Sequence, residues 1–232
     1  MSSISSARNA PLTTGRTLDH AARVYDLLAP LMTLGMEGRL RRAVLHLLVL
    51  AGTERVLDVG CGTGSLTLAI SRRLGGAQGS CAVGVDAAPR MIDVARRKAV
   101  GAHSVTFDVE AAESLPYPDA SFDRVVSTFF FHHVSFGLKV RALDHMHRVL
   151  VPGGYAVIVD VDRPTNLWGA LCAWCGYILF QQDEIRENIR GRLTEAFAAS
   201  EFRQWMPISH HSGYISVFRL VKQDNRPGKG HT

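Results

Sequence analysis

Cysteine is scarce in this chain of 232 residues, which contains four. Their spacing does not form a disulfide framework, and residues 1–17 are polar and rich in serine and threonine, unlike a secretory signal. We therefore expect a reduced, cytoplasmic setting. Cys172 and Cys175 are separated by two residues but have no second ligand pair, so we expect no metal site and a buried apolar position for both.

Long hydrophobic runs are also absent. The longest extends over 14 residues, from Leu167 to Phe180, and a membrane-spanning helix needs about 20. This run could cover a substrate, belong to the core or lie on a membrane surface, and we favour a substrate-covering helix with a candidate peripheral membrane contact.

Charge of one sign is not concentrated anywhere in the chain. The net charge is +5, but the basic residues are scattered and form no long run. Solvated helix faces are therefore favoured over a nucleic-acid surface, and we expect no nucleic-acid partner. Nothing in the sequence determines the oligomeric state.

Strand and helix patterns alternate through most of the chain, which predicts right-handed crossovers and a doubly wound, mostly parallel α/β sheet. The predicted strands are 55–59, 81–85, 104–107, 123–130, 155–161, 202–207 and 213–221. The predicted helices include 66–74, 89–100, 140–150, 167–180 and 183–199, with a turn at Pro152-Gly153-Gly154. The last two strands lie close together and are expected to pair antiparallel at the sheet edge.

The domain organisation follows from the same pass along the chain. We expect a loose N-terminus over 1–17, one domain over 18–222 and a flexible tail over 223–232. Within the domain, 18–50 is predicted to form a helical cap and 165–199 to form helices that cover the substrate.

A glycine-rich segment carries most of the functional information. Residues 56–66 read VLDVGCGTGSL, directly after the first predicted strand and at the start of a helix. The glycines are Gly60, Gly62 and Gly64, which allow a sharp turn and a close approach of backbone to ligand. A dinucleotide-binding fold needs G-x-G-x-x-G, and residues 65 and 66 are serine and leucine, so the third glycine of that pattern is missing.

Two acids near this segment indicate the kind of ligand. Asp58 stands beside the loop, where a carboxylate would repel a pyrophosphate and suit a cation. Asp86 ends the second predicted strand, at about the distance where an acid binds ribose hydroxyls in nucleoside-binding α/β folds. S-adenosylmethionine, an adenosine with an ammonium and a sulfonium, matches both features.

The segments VLDVGCGTG, GVDAAPRMIDVA, LPYPDASFDRVVS and HRVLVPGGYAVIVD resemble the class I, Rossmann-like methyltransferases. The resemblance covers residues 18–161 and is greatest to the ubiquinone/menaquinone-biosynthesis C-methyltransferase group. It implies a seven-stranded sheet with an N-terminal helical cap and an antiparallel last strand, and S-adenosylmethionine as the cofactor.

The same resemblance assigns roles to single positions. Asp58 would orient the cofactor's amino group, Asp86 would hold the ribose, and Thr128 would lie near the methionine moiety. The remaining cofactor-binding residues implied by the resemblance are Gly60, Cys61, Gly62, Thr63, Gly64, Ala87, Met91, Ala111 and Ala112.

Two departures from the family pattern bear on the function. Ala111 stands where the family has Asp or Asn that receives the adenine amino group, so Glu110, Glu113 or water must replace that contact. His132-His133 stands where the quinone group has Arg-Asn, which argues against a quinone substrate.

Methyl transfer needs alignment of the two reactants, and a general base where the acceptor must lose a proton. His132 and His133, just beyond the fourth strand, are candidate catalytic residues, and Tyr25 in the entry helix could close over the pocket. Each of the three could instead be structural.

The sequence therefore predicts an S-adenosylmethionine-dependent methyltransferase acting on a small, apolar or aromatic molecule, with a carbon, oxygen or nitrogen acceptor. The alternatives are a quinone-precursor C-methyltransferase, a non-catalytic cofactor-binding protein, an NAD-dependent oxidoreductase and, with least support, a nucleic-acid methyltransferase.

Overall fold

The computed structural model describes Thr13 and residues 35–224, and these form one seven-stranded mixed sheet flanked by helices. The strands are β1 Arg55–Val59, β2 Cys81–Asp86, β3 Val105–Val109, β4 Phe122–Thr128, β5 Leu150–Val161, β6 Gln204–His211 and β7 Ile215–Val221. The helices are α1 Glu37–Leu47, α2 Ser65–Leu74, α3 Pro89–Lys98, α4 Phe136–Val149, α5 Leu167–Phe180, α6 Asp183–Ile189 and α7 Arg192–Ala199. Short 3₁₀ turns cover Ala112–Ser114 and Phe131–His133.

The strand order is β3-β2-β1-β4-β5-β7-β6, and the first five strands of the chain pair in parallel. Chain order reverses between β1 and β4, which is the switch point where ligands of doubly wound sheets bind. The apolar strands β1 and β2 are buried between layers of helices, as near-continuous apolar strands require. The predicted fold is therefore confirmed.

The last two strands close one edge of the sheet with antiparallel pairing. β7 pairs antiparallel with β5, and β6 pairs antiparallel with β7. Because β6 is an edge strand, it accommodates Pro207, whose missing N–H would interrupt a central ladder. The expected antiparallel pair is confirmed, although β6 begins two residues later than predicted and continues to His211.

Several predicted boundaries are wrong for local reasons. β4 ends at Thr128 because Phe129 takes a left-handed conformation, with φ 55°. The predicted helix 183–199 is two helices separated at Gly191, whose φ is 94° and where an added Cβ would lie 2.4 Å from the Arg163 guanidinium. The predicted turn at 152–154 is a bulge within β5, between the pairs Phe122–Leu150 and Arg124–Tyr155.

Helices α1 and α5 lie beside the carboxyl ends of the central strands, where both contribute to one cavity. α5 buries only Gly169 and Ala173, and Gly169 packs directly on the Gly213 backbone. The Asn166 side chain caps α5 by accepting a hydrogen bond from the Gly169 N–H at 2.7 Å. Within the described part of the chain, no helix combines the length and apolar character that crossing a bilayer requires.

Candidate active site

The glycine loop leaves β1 through three left-handed glycines, with φ 73° at Gly60, 53° at Gly62 and 76° at Gly64. A side chain at Gly60 would clash with Phe130, and one at Gly64 with Phe107, so both are held by close packing. Gly62 differs, because an added Cβ there would meet nothing within 4 Å. The loop is thus pinned at both ends and open in the middle, where a ligand can approach the backbone.

Asp86 at the end of β2 holds the loop in place. Its carboxylate accepts hydrogen bonds from the N–H groups of Gly62 and Ala88, both at 2.9 Å. The Gly60 and Cys61 N–H groups donate to the Val85 carbonyl, also at 2.9 Å. Asp86 therefore fixes the loop and at the same time lines the pocket beside it.

Two cavities flank this loop. The Asp86 pocket is about 80 Å³ and the α1/α5 cavity is about 210 Å³. The residues that line both are Gly60, Gly62, Thr128, Phe129 and His133. The two cavities lie side by side on this shared wall, and the pair is called the cleft here: the Asp86 pocket is its acidic end and the α1/α5 cavity its larger, more apolar end.

The two histidines lie where the cavities meet, and both line the α1/α5 cavity. Nδ1 of His132 is 2.6 Å from Oδ1 of Asp160, and both side chains are buried. Nδ1 of His133 is 2.9 Å from Oε1 of Gln182. The imidazole rings are in contact, with centroids 3.9 Å apart. The structure thus brings the two predicted catalytic histidines to the acceptor end of the cleft.

Asp58 lies beneath the loop rather than in the wall of either cavity. It is 1% exposed, and its Oδ2 accepts a hydrogen bond from the Thr67 hydroxyl at 2.6 Å. Its Oδ1 is buried and has no partner in the described structure. Burial, with a smaller contribution from the nearby Asp86 charge, raises the pKa of Asp58 from 3.8 to about 7. A cationic ligand above the loop would favour the ionised form of Asp58. Since Asp58 lines neither cavity, its predicted effect on the cofactor's amino group would act through its charge and not through direct contact.

At the position where the family has an acid or amide for the adenine, this chain has Ala111. Ala111 is fully buried and does not line the Asp86 pocket, whereas Glu110 and Glu113 do. The Thr13 hydroxyl donates a hydrogen bond to Oε1 of Glu113 at 2.6 Å, so Thr13 also lines this pocket. The two glutamates are therefore in position to replace the missing adenine contact.

The predicted cofactor residues divide into two groups by position, and the candidate catalytic residue Tyr25 stands apart from both. Those that line one or both cavities are Gly60, Cys61, Gly62, Thr63, Asp86, Ala87, Met91, Ala112 and Thr128. Asp58, Gly64 and Ala111 lie behind the cavity walls. Tyr25 lies outside the described residues.

The two cysteines of α5 do not share the buried apolar position expected for them. Cys172 is half-buried and lines the α1/α5 cavity, whereas Cys175 is exposed. Residues three apart lie on neighbouring parts of a helix surface, and the edge of the side of α5 that faces the protein falls between Cys172 and Cys175.

Sequence reasoning did not find three residues that position the histidines. Asp160 and Gln182 bind the imidazoles, and buried Lys139 donates to the Val134 carbonyl at 2.7 Å, just after the histidine turn. Asp160 follows an apolar strand at the same sheet edge as the glycine loop, which is the one pattern that could have indicated it.

Comparison with known proteins agrees with this geometry. Residues 56–154 match the family model described as a methyltransferase domain. A demethylmenaquinone methyltransferase of Thermus thermophilus is 39% identical over 141 residues, which are 60% of this chain and 62% of that protein. An uncharacterized methyltransferase of Synechocystis is 31% identical over 157 residues, or 66% of this chain and 70% of that protein. The chain belongs to the class I family of S-adenosylmethionine-dependent methyltransferases.

The fold comparison shows that the described architecture is shared with solved methyltransferase structures. The crystal structure of a SAM-dependent methyltransferase from Aquifex aeolicus has a TM-score of 0.61 at 18% identity, covering 89% of this chain and all of that one. This chain spans about 60% of the length of several quinone-biosynthesis methyltransferases that it matches. Class I methyltransferases share the fold while their acceptors differ, so the acceptor must be argued from the cleft.

The residues present fit the cofactor of this family. Asp86 lines the acidic pocket, Gly62 leaves an open approach to the loop, and Asp58 has an unpaired buried oxygen beneath the loop. These features suit a nucleoside that carries positive charge. They argue against the NAD-dependent alternative, because the loop of this chain also lacks the third glycine that a dinucleotide-binding fold needs.

Proposed function

We propose that this protein transfers a methyl group from S-adenosylmethionine to a small, apolar or aromatic molecule bound in the α1/α5 cavity. The observation that carries the proposal is the pair of adjoining cavities, in which the acidic pocket at Asp86 and the apolar cavity both border the open Gly62 backbone. S-adenosylmethionine, when bound, supplies an electrophilic methyl group on a sulfonium. Asp86 would hold the ribose, and Glu110 or Glu113 would receive the adenine amino group.

The protein's own contribution is alignment and exclusion of water. Leu40 and Val44 of α1 and Ala173 of α5 line the cavity and are nearly fully buried, so they form an apolar wall against which an acceptor can pack. His132 and His133 face the same space from the sheet side. In this proposal α1 and the segment 165–199 cover the substrate, whereas residues 18–34 of the predicted helical cap lie outside the described residues.

Calorimetry of the purified protein tests the cofactor first. We expect S-adenosylmethionine and S-adenosylhomocysteine to bind with micromolar affinity, and NADH, the control, to show no heat. Binding of the two ligands without turnover of any acceptor would favour the non-catalytic alternative. No binding would refute the proposal.

Quinone-precursor C-methylation is the specific candidate that the relatives favour. The Thermus relative is named a demethylmenaquinone methyltransferase, and the α1/α5 cavity is apolar enough for a ring. The His132-His133 pair, in place of the quinone group's Arg-Asn, argues for a different acceptor. Incubation with reduced demethylmenaquinone and labelled cofactor decides this, since label on the ring carbon supports the quinone candidate and an unlabelled ring excludes it.

We also propose a peripheral membrane contact through α5. Its outward side exposes Leu167, Leu171 and Ile178 at 92%, 56% and 67%, and the helix carries no charged residue. With a net charge of +5, an anionic lipid surface is the complementary partner.

Co-sedimentation with phosphatidylglycerol vesicles tests the contact. We expect the double variant Leu171→Ser/Ile178→Ser to lose most vesicle binding. The control Val100→Ser changes another exposed apolar residue, 85% exposed in the turn after α3, and should retain binding. Equal binding by both variants would exclude α5 as the contact. The cytoplasmic location and the division into a domain with loose termini stay predictions.

A further inference from the structure

Asp160 makes a complete set of hydrogen bonds that fixes its role as an acceptor. It lies near the end of β5 and is fully buried. Its Oδ2 accepts the Phe131 N–H, and its Oδ1 accepts the Val161 N–H, both at 2.7 Å. The third contact is with Nδ1 of His132, at 2.6 Å. Because an ionised carboxylate only accepts hydrogen bonds, Nδ1 is the donor in this contact.

This arrangement selects the tautomer of His132. If Nδ1 carries the proton toward Asp160, Nε2 is unprotonated and available. His132 lines the α1/α5 cavity, and its Nδ1 is engaged by Asp160. Nε2 is therefore the ring atom that can meet a molecule in the cavity.

The neighbouring His133 is held differently. Its Nδ1 contacts the neutral side-chain amide of Gln182. A buried carboxylate stabilises an imidazolium, whereas an amide offers only a dipole. The structure thus distinguishes two adjacent histidines that the sequence treats alike.

We propose that His132 is the general base of the reaction, that Asp160 is its positioning residue, and that the acceptor is a molecule with an ionisable hydroxyl of the phenol type. This proposal rests on the proposed methyl transfer. The acceptor O–H bond breaks and its proton passes to Nε2 of His132. A bond forms between the acceptor and the methyl carbon, and the methyl–sulfur bond breaks with its electron pair remaining on sulfur, which becomes a neutral thioether.

The competing explanation is structural. Asp160 also ties the 3₁₀ turn Phe131–His133 to β5 through the Phe131 N–H, so its loss could simply disorder that turn. The decisive readout must therefore respond to proton removal and not to misplacement of the histidines. Phenols of different acidity provide it.

The experiment compares wild type with Asp160→Asn on 4-propylphenol, which is protonated at mildly alkaline pH, and on 4-nitrophenol, which is largely ionised there. Asparagine keeps one side-chain oxygen, so one of the two backbone donors retains an acceptor, but the amide does not stabilise an imidazolium. We expect kcat to fall about 100-fold or more on 4-propylphenol, the usual range for a lost general base, and to change less than about 3-fold on 4-nitrophenol. Equal losses on both phenols would show a structural role, and His133→Gln serves as the matched control with no such split.

A second measurement needs neither turnover nor a variant. Two-bond ¹H–¹⁵N correlation of wild-type imidazoles should show His132 protonated at Nδ1 and bare at Nε2. A proton on Nε2 would overturn the proposal. If calorimetry shows no cofactor binding, the proposed function fails on its own terms while this spectrum still decides the state of His132. Cofactor binding without methylation of either phenol would overturn the phenol-type acceptor.

Discussion

Replacing Asp58 by asparagine tests the electrostatics beneath the glycine loop. The native carboxyl has a pKa raised to about 7 by burial, against 3.8 for an ordinary aspartate. Below about pH 4 the group is protonated in both the folded and the unfolded chain and costs nothing. Between about pH 4 and pH 7 the unfolded chain ionises and the folded chain does not, so the free energy of unfolding falls with rising pH. Above pH 7 the loss is complete.

The size of the effect follows from the difference in pKa. At about 1.36 kcal/mol for each pKa unit, the interval from 3.8 to about 7 corresponds to roughly 4 kcal/mol. Asparagine has no ionisation, so its unfolding free energy should rise relative to wild type by up to that amount across the interval. Its side-chain oxygen can still accept from the Thr67 hydroxyl. The amide NH₂ that replaces the unpaired oxygen changes the free energy of unfolding by an amount that does not vary with pH.

Urea unfolding of both proteins at a series of pH values measures the difference directly. Asp93→Asn, at an exposed position on α3, gives the background for removing one carboxylate. A difference between Asp58→Asn and wild type that stays constant from pH 4 to pH 7 would refute the raised pKa. As a further consequence, binding of S-adenosylmethionine near pH 7 should release protons in wild type and fewer in the variant, which calorimetry in two buffers of different ionisation enthalpy detects.

Three further changes have defined outcomes. Asp86→Ala should weaken S-adenosylmethionine binding by about 1–3 kcal/mol because a charged acceptor is lost; calorimetry showing unchanged affinity would contradict the ribose assignment. Gly64→Ala should lower the unfolding free energy by about 2–4 kcal/mol, since its Cβ would lie 2.6 Å from Phe107 at φ 76°, whereas Gly62→Ala, with open space, should cost about 1 kcal/mol in the same urea titration. Exposed Cys175 should be alkylated by iodoacetamide well before Cys61, whose thiol pKa is raised by burial; equal labelling rates by mass spectrometry would contradict this order.

The fold was predictable because its information is local and repeated. Apolar strands such as β1 and β2 are continuous in sequence, and the glycine loop between β1 and α2 has a conformation that few other residues accept. The boundaries that were wrong depend on single residues in unusual conformations, above all Phe129. Sequence periodicity does not predict a positive φ at a non-glycine residue, because tertiary packing imposes that conformation.

Sequence alone predicted the part of the candidate site that is formed by one continuous stretch of the chain. The acid of β2 and the loop glycines stand at spacings that reflect a short strand–loop–helix unit, so their common location follows from the chain itself. Tyr25 stays a prediction, and the roles of Asp58 and Ala111 are indirect because both lie behind the wall that a ligand would touch.

By itself the sequence determined the class of fold, the position of the glycine loop and the cationic, nucleoside character of the ligand, because each depends on residues a few positions apart. Only the tertiary structure decided that His132 meets Asp160, 28 residues away, and that His133 meets Gln182, 49 residues away. The first pairing depends on the parallel register that sets Thr128 beside Val159, and the second on where α5 returns to the sheet. Register and helix docking are settled by burial of the whole core, a sum over many contacts that no short segment contains.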